Sequence, residues 1–320
     1  MMPPSRSSFI VHLSSLILRR SSFIVHRSSL ILRRSSLILH RSSLIAHRSS
    51  LVLALVVLAC TEPPAATTSD DLGRPVAVPR EIRRVVTLAP NVTEMIFALG
   101  AGDRVVGADD YSNYPAAAAK LPKVGGMQPN IEKIVALKPD LVLASTEGNH
   151  PNLAPALATA NVPLFVIRTD RLAEIPTAMR RLASLLDVPD DAVGGVERAV
   201  AAQKRTRAHA PRVLFAVWTD PLYVAGRTTF TDDLYALTGA RNAVEVTGWP
   251  QYSLESFAAA PPDLFLYPRG AVTPQQVDAL LQRVPGLKVR VVSVNEDIFQ
   301  RPGPRMAEAA KALNAILDAP

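Results

Sequence analysis

From residue 81 onward, two patterns of apolar and polar positions take turns along the chain. Short unbroken apolar runs, VVTLA at 85–89, VVGA at 105–108, DLVLA at 140–144 and PLFVI at 163–167, read as strands buried on both faces. Between them apolar residues recur three and four apart, the spacing of a helix with one face on a core. The first helix is expected to take Thr93 as its N-cap and to stop at Gly100. This alternation predicts a parallel sheet with helices on both faces. The pattern changes over 171–209, where two helical stretches succeed each other without a strand and part only at 188–190. The second, 192–208, has a charged surface and an Ala/Val stripe. It is expected to bridge two lobes as a long rigid helix, the alternative being an ordinary surface helix of one lobe. The alternation then resumes. RVLFAV at 212–217 is a strand, 231–237 a helix ending at Thr238-Gly239, KVRVVSV at 288–294 a strand, and 304–317 a last helix with Pro304 tolerated in its first turn.

An internal repeat ties the two halves together. Residues 130–143 read NIEKIVALKPDLVL and, 123 residues later, 253–266 read SLESFAAAPPDLFL, with six of fourteen positions identical. Each copy has apolar residues at helical spacing, a Pro-Asp breaker and an apolar run fit for a buried parallel strand. One unit is used twice, so the chain is expected to fold as two similar α/β lobes with a cleft between them. Glu132 and Glu255 hold the same place in the two copies.

The amino-terminal region departs from this scheme. Ser-Ser recurs every seven residues from 7 to 49, without the apolar seam and charged flanks of a coiled coil, and the true start is expected near Arg48. Residues 51–59, LVLALVVLA, are too few for a membrane span, which needs about 20, and read as the apolar core of a secretory signal. The only cysteine, Cys60, follows at once, and VLAC at 57–60 resembles a bacterial lipobox in which that thiol is acylated. The Pro-, Thr- and Ala-rich stretch after it is expected to be a flexible tether. The expected organisation is therefore a leader over 1–59, lipidated cysteine and tether over 60–80, an N-terminal lobe over 81–170, a helical connector over 171–210 and a C-terminal lobe over 211–320. Such a protein is exported, and lies at the periplasmic or cell-surface side of a membrane.

Charge and motifs exclude more than they assign. The formal net charge of +7 invites a nucleic-acid partner, but the leader alone holds eight arginines and no acid, which leaves 27 basic against 28 acidic residues elsewhere. Phosphate-loop, HExxH, GxSxG and CxxC motifs are missing. With His150 and His209 the only histidines beyond the leader, no metal cage, resident cofactor or catalytic residue is expected. What the sequence offers instead is aromatic and polar residues just after strands, where α/β sheets present ligands. These are Pro90 and Asn91, Tyr111 and Tyr114, Trp218 and Tyr223, Trp249, and then Asp297, Phe299, Arg301 and Arg305. Core packing is the alternative for each aromatic taken singly.

RVVTLAPNVTEMIFALGAGDRVVGADDYSNYP, then KVGGMQPNIEKIVALKPDLVLA, GWPQYSLE and EDIFQRPGPR, resemble the substrate-binding proteins of ABC importers for metal chelates, their cobalamin-binding branch above all. The resemblance spans about 75–318. It implies an α/β fold of two Rossmann-like lobes with parallel sheets, joined by one long rigid helix, a ligand cleft between the lobes and a small closure on binding. By matching motif it places Pro90, Asn91 and Tyr111 on one wall of the cleft, with Met127 and Ser145 where cobalamin binders have tryptophans. Trp249, Asp297, Phe299 and Arg301 fall on the other wall, with Trp218 or Tyr223 as a ring-facing aromatic. It also implies that Glu132 and Glu255 dock on the two subunits of an ABC permease with its ATPase, that the protein is a monomer, and that it is not an enzyme. The implied ligand is a corrinoid; an iron siderophore or haem is the alternative, and a lipid-anchored enzyme or adhesin a further one.

Overall fold

Apolar runs that cannot face water on either side need a layer above and below, and the strands of this chain find both. The computed structural model describes residues 66–146 and 152–319. The leader, Cys60 and the first residues of the tether lie outside the described residues. An antiparallel hairpin of β1 (Ala66–Ser69) and β2 (Pro75–Val78) comes first. It is followed by β3 (Val85–Thr87), α1 (Pro90–Ala98), β4 (Val105–Ala108), α2 (Ala116–Ala119), α3 (Ile131–Ala136), β5 (Leu141–Ser145), α4 (Leu153–Thr159) and β6 (Leu164–Ile167). Two helices without an intervening strand, α5 (Glu174–Leu186) and α6 (Asp191–Ala201), lead to the second half. That half comprises β7 (Arg212–Thr219), β8 (Leu222–Val224), α7 (Phe230–Thr238), β9 (Arg241–Asn242), α8 (Leu254–Ala259), β10 (Leu264–Arg269), α9 (Pro274–Gln282), β11 (Arg290–Asn295), α10 (Glu296–Phe299) and α11 (Met306–Asp318).

Each half builds its own sheet. The first runs β4-β3-β5-β6 with every pair parallel. The second runs β11-β10-β7-β8 with β9 also on β7, parallel throughout except for β8. The expected α/β class with two parallel-sheet lobes is what the chain adopts. The outer faces of the sheets have separate cores, around Ile134, Val142 and Val166 in one and Phe257, Phe265 and Val277 in the other. Their inner faces share a single one. Leu143 and Phe165 from the first lobe, Phe215 and Leu266 from the second, and Met179, Leu182 and Leu313 from the intervening helices belong to one continuous cluster.

The repeat has a mechanical explanation. In the first copy Asp140 Oδ2 accepts the backbone N–H groups of Arg83 and Arg84, both at 2.8 Å. The Arg84 guanidinium donates in turn to the carbonyls of Leu137 and Lys138. In the second copy Asp263 Oδ2 accepts from Arg212 N at 2.7 Å, while the Arg212 guanidinium reaches the carbonyls of Ala260 and Pro261. The Pro-Asp pair thus ends a helix and pins the next strand beside its neighbour, Val85 opposite Leu141 and Val213 opposite Leu264. Asn130 and Ser253 cap the two helices alike, each accepting from the N–H three residues on.

Several local expectations are corrected. From Ala66 the expected tether is an ordered hairpin: Val76 and Val78 are buried, Asp70 closes the turn through Leu72 N and Arg74, and Asp71 N bonds Val166 O at the edge of the first sheet. The first helix begins at Pro90, not after Thr93; proline supplies the first turn, and the Thr93 hydroxyl turns back to Ala89 O. The second connecting helix stops at Ala201, because the chain beyond it is captured by the second lobe through Arg205 N to Leu237 O and Arg207 Nε to Thr238 O, both 2.9 Å. The connection therefore consists of two helices of 13 and 11 residues. The last helix starts at Met306, past Pro304.

Candidate functional site

Parallel strands deliver their carboxyl ends to one edge of a sheet, and the loops leaving those edges surround a cleft of about 510 Å³. That lies within the roughly 300–1,000 Å³ usual for small-molecule sites. Pro90, Asn91, Asp109, Tyr111, Gly126, Met127 and Ser145 line it from the first lobe; Gly270, Glu296, Asp297, Gln300, Arg301 and Pro302 line it from the second. Seven residues expected from the sequence are thereby brought together: Pro90, Asn91, Tyr111, Met127, Ser145, Asp297 and Arg301. A larger hollow of about 760 Å³, lined by α5, α6 and α7 with Gly303 and Met306, contains no strand end.

A buried ion cluster joins the two walls. Glu94 on α1 has a side chain 2% exposed, and Arg305 grips it bidentately from the other lobe, Nε to Oε2 at 2.9 Å and Nη2 to Oε1 at 2.6 Å. Arg301, 11% exposed, donates to Glu94 Oε1 at 3.3 Å, to Asn113 Oδ1 at 2.7 Å and to the Tyr111 carbonyl at 3.0 Å, and it pairs with Asp297. The Arg305 guanidinium also stacks 4.0 Å from the Tyr114 ring centroid. Although burial opposes its charge, the hydrogen bond and charge of Glu94 hold Arg305 above the ordinary arginine value. Beside the cluster Asn91 Nδ2 bonds Thr169 Oγ1 and Pro302 O at 3.0 and 3.2 Å. Two carboxylates and two guanidiniums thus neutralise one another, Glu94 almost wholly out of water and Asp297 at the cleft surface.

Asp109 forms the floor on the first-lobe side. It is 2% exposed and accepts from Tyr111 N and from the Ser112 hydroxyl. Burial pushes its carboxyl above the usual aspartate value, against the lowering effect of those hydrogen bonds and of Lys123 and Arg301. The Ser112 hydroxyl continues to Thr93 and Thr87, at 2.7 Å each step, which locks the loop after β4 to the start of α1. Tyr111 is 53% exposed and its ring lies on Gly126, where an added Cβ would stand 3.0 Å from the ring, so glycine there seats the aromatic wall.

The second lobe's aromatics divide. Phe299 is corrected: it is 1% exposed and packs at 6.3 Å from Phe215 in the shared core, so it supports the cleft from below and does not line it. Trp218, Tyr223 and Trp249 are 43%, 40% and 38% exposed and fall outside the cavity lining. They gather where β7, β8 and the segment around Gln251 meet. Trp218 faces Tyr223 across the β7–β8 pair, Tyr223 bridges to Gln251, and the Trp249 ring tilts 5.5 Å from Phe230. Continuing the register of β7 and β10, Trp218 leaves the sheet level with Arg269, the residue before the cleft-lining Gly270. Sequence reading missed Glu94, Asp109, Glu296 and Gln300 as cleft-building residues; of these only Glu94 had a signal, an acid inside the apolar stretch of a helix.

Glu132 and Glu255 are exposed first-turn residues of α3 and α8. A helix that precedes a parallel strand starts at the sheet's carboxyl edge, and Asn130 N, bonded to Val124 O at 2.7 Å, anchors α3 there. Its own backbone N–H, and after it the Ser253 hydroxyl, hold the Glu255 carboxyl below the usual glutamate value. Among the described residues no group of three or more His, Cys, Asp and Glu is placed to hold a metal ion.

The family model described as periplasmic binding protein matches residues 85–289. The vitamin B12-binding protein of Pectobacterium atrosepticum is 33% identical over 244 residues, 72% of this chain and 87% of its own. Among solved structures, the periplasmic heme-binding protein RhuT from Roseiflexus sp. RS-1 aligns with a TM-score of 0.66 at 29% identity, covering 73% of this chain and 97% of that one. The periplasmic vitamin B12-binding protein BtuF of Vibrio cholerae aligns with a TM-score of 0.62 at 25% identity, covering 74% and 96%. These relatives are substrate-binding transport proteins, not enzymes.

The ion cluster yields a direct expectation. Removing one charge from a buried network leaves its partners uncompensated, at about 3–5 kcal/mol. Glu94→Gln is expected to lower the unfolding free energy by that order, read from a lower urea midpoint with an unchanged denaturant slope; a loss under about 1 kcal/mol would mean that the lobes do not depend on it.

Proposed function

The chain belongs to the periplasmic binding protein family, as an exported substrate-binding protein of the ABC importer type, and on that footing we propose that it captures a corrinoid in the cleft between its lobes. Anchored by lipid at Cys60, it hands this cobalamin-like chelate to a permease dimer whose ATPase drives uptake. The observation that carries the reading is the distribution of exposed large side chains. Tyr111 and Met127 on the cleft wall of one lobe and Trp218, Tyr223 and Trp249 around β8 of the other stay in water although each would gain roughly 25 cal/mol per Å² on burial. A broad flat chelate with an apolar face and a polar periphery is the kind of ligand that covers surfaces so spaced. Haem is the second reading, favoured by the likeness to RhuT. No bond is made or broken in either case; the work is selective binding and release.

Glu132 and Glu255 serve as the docking pair. Both stand exposed at the start of equivalent helices, one per lobe, at the sheet edges that border the cleft. A permease built from two equal subunits presents the same basic pocket twice, and a pseudo-twofold pair of carboxylates matches it.

Titration with cobalamin, cobinamide, haem and ferric siderophores is expected to give saturable one-to-one quenching of Trp218 and Trp249 fluorescence with the corrinoids. At 100 times the dissociation constant the ligand adds about 2.7 kcal/mol to stability, raising the melting temperature by roughly 5–10 °C. Response to haem alone would replace the corrinoid reading by the second. Combining Glu132→Ala with Glu255→Ala is expected to abolish uptake in cells while leaving ligand affinity within about twofold, since neither residue lines the cleft; normal uptake would reject the docking role.

A further inference from the structure

Of the three acids that line the cleft, two are already engaged. Asp109 accepts from Tyr111 N and Ser112, and Asp297 from Arg301 and Asn113. Glu296, the first residue of α10, is the exception: among the described residues nothing donates a hydrogen bond to its carboxylate. Its position is nonetheless built. The oxygens lie over Gly270, where an added Cβ would stand 2.7 Å from Oε2 and 2.9 Å from Oε1. Gly270 also has φ +119, a conformation that other residues rarely adopt, so the loop after β10 both makes room for this carboxylate and holds it at the cleft wall. A half-buried carboxylate without a donor is an unfilled acceptor, and a ligand that brings N–H groups fills it.

The rest of the lining has the same sign. Arg301 is the only cation among the described lining residues, and its guanidinium is already taken by Glu94, Asn113, the Tyr111 carbonyl and Asp297. A chelate bearing carboxylates would find like charge at Glu296 and no free cation in the lining; like charges brought together in a desolvated site cost several kcal/mol. A neutral or cationic chelate with a carboxamide periphery would find an acceptor.

We propose that Glu296 is the specificity-determining residue of the cleft, accepting N–H donors from the carboxamide rim of a corrinoid and turning away carboxylate-bearing chelates such as haem. The assignment rests on the receptor reading above and names the feature that separates its two candidate ligands. It is tested by binding cobinamide, cobalamin and haem to the wild-type protein, Glu296→Gln and Glu296→Lys, followed by tryptophan fluorescence, with melting curves confirming that each variant is folded. The wild type is expected to bind corrinoids at least about 100-fold more tightly than haem, two decades of the like-charge cost. Glu296→Gln weakens corrinoid binding roughly tenfold, the size of a charge-assisted hydrogen bond, and Glu296→Lys narrows or inverts the preference. A wild type that prefers corrinoids, with both variants keeping the same preference ratio, overturns the role of Glu296 and leaves the receptor reading standing. A wild type that binds none of these ligands, or prefers haem, overturns both.

Discussion

A glutamate buried between two lobes can stay charged only if each lobe keeps its share of the counter-charge in place. Glu94 comes from the first lobe, and Arg301 and Arg305 come from a segment more than 200 residues later. Separating them would leave ions in a poorly hydrated cleft, at several kcal/mol per unpaired charge. The cluster therefore sets the distance between the walls, and the shared apolar core beneath it, running from Phe165 through Met179 and Leu313 to Phe215 and Phe299, sets the angle. A cleft shaped this way exists before any ligand arrives. The same economy decides the chemistry of the site: Arg301 faces the cavity but is spent on holding the structure, so the lining is left with acceptors.

The twofold repeat works at another level. Its Pro-Asp pair, with Arg84 in one lobe and Arg212 in the other, seats a strand beside the first strand of each sheet. Its capped helices bring Glu132 and Glu255 to corresponding places. Because the ion cluster and the common core keep the lobes in register, two surface residues that never meet are presented at a constant separation. A rigid receptor can offer a twofold partner a pair of charges in this way; a loosely hinged one would offer a range of spacings.

Much of the fold was legible in the sequence for a simple reason. Strands buried on both faces, helices with one apolar face, and a Gly at the end of α7 leave signals within a few residues of one another. The site was legible where loops follow strands, which is why Pro90, Asn91, Tyr111, Asp297 and Arg301 converge, while Met127 came only from the family resemblance. What escaped depends on distant partners. Residues 66–78 look like a tether by composition, and only the edge of β6 and the Asp70–Arg74 turn make them a hairpin. Phe299 stands in the same short segment as Asp297 and Arg301, yet a single step of helical rotation sends it into the core. The pairing of Glu94 with Arg305, and the lack of a donor to Glu296 among the described residues, are properties of a three-dimensional neighbourhood that no spacing along the chain encodes.

Lobes locked in one relation make a ready-made cleft and fix the separation of their outer surfaces. Spin labels at Glu132→Cys and Glu255→Cys, in a chain whose single native thiol is removed by Cys60→Ser, report the distance between the lobes by pulsed electron resonance. One narrow distance distribution is expected, its maximum moving by less than its own width on adding saturating cobalamin, as a small closure allows. A broad distribution in the free protein, or a shift of its maximum beyond its own width on adding ligand, would contradict such locking.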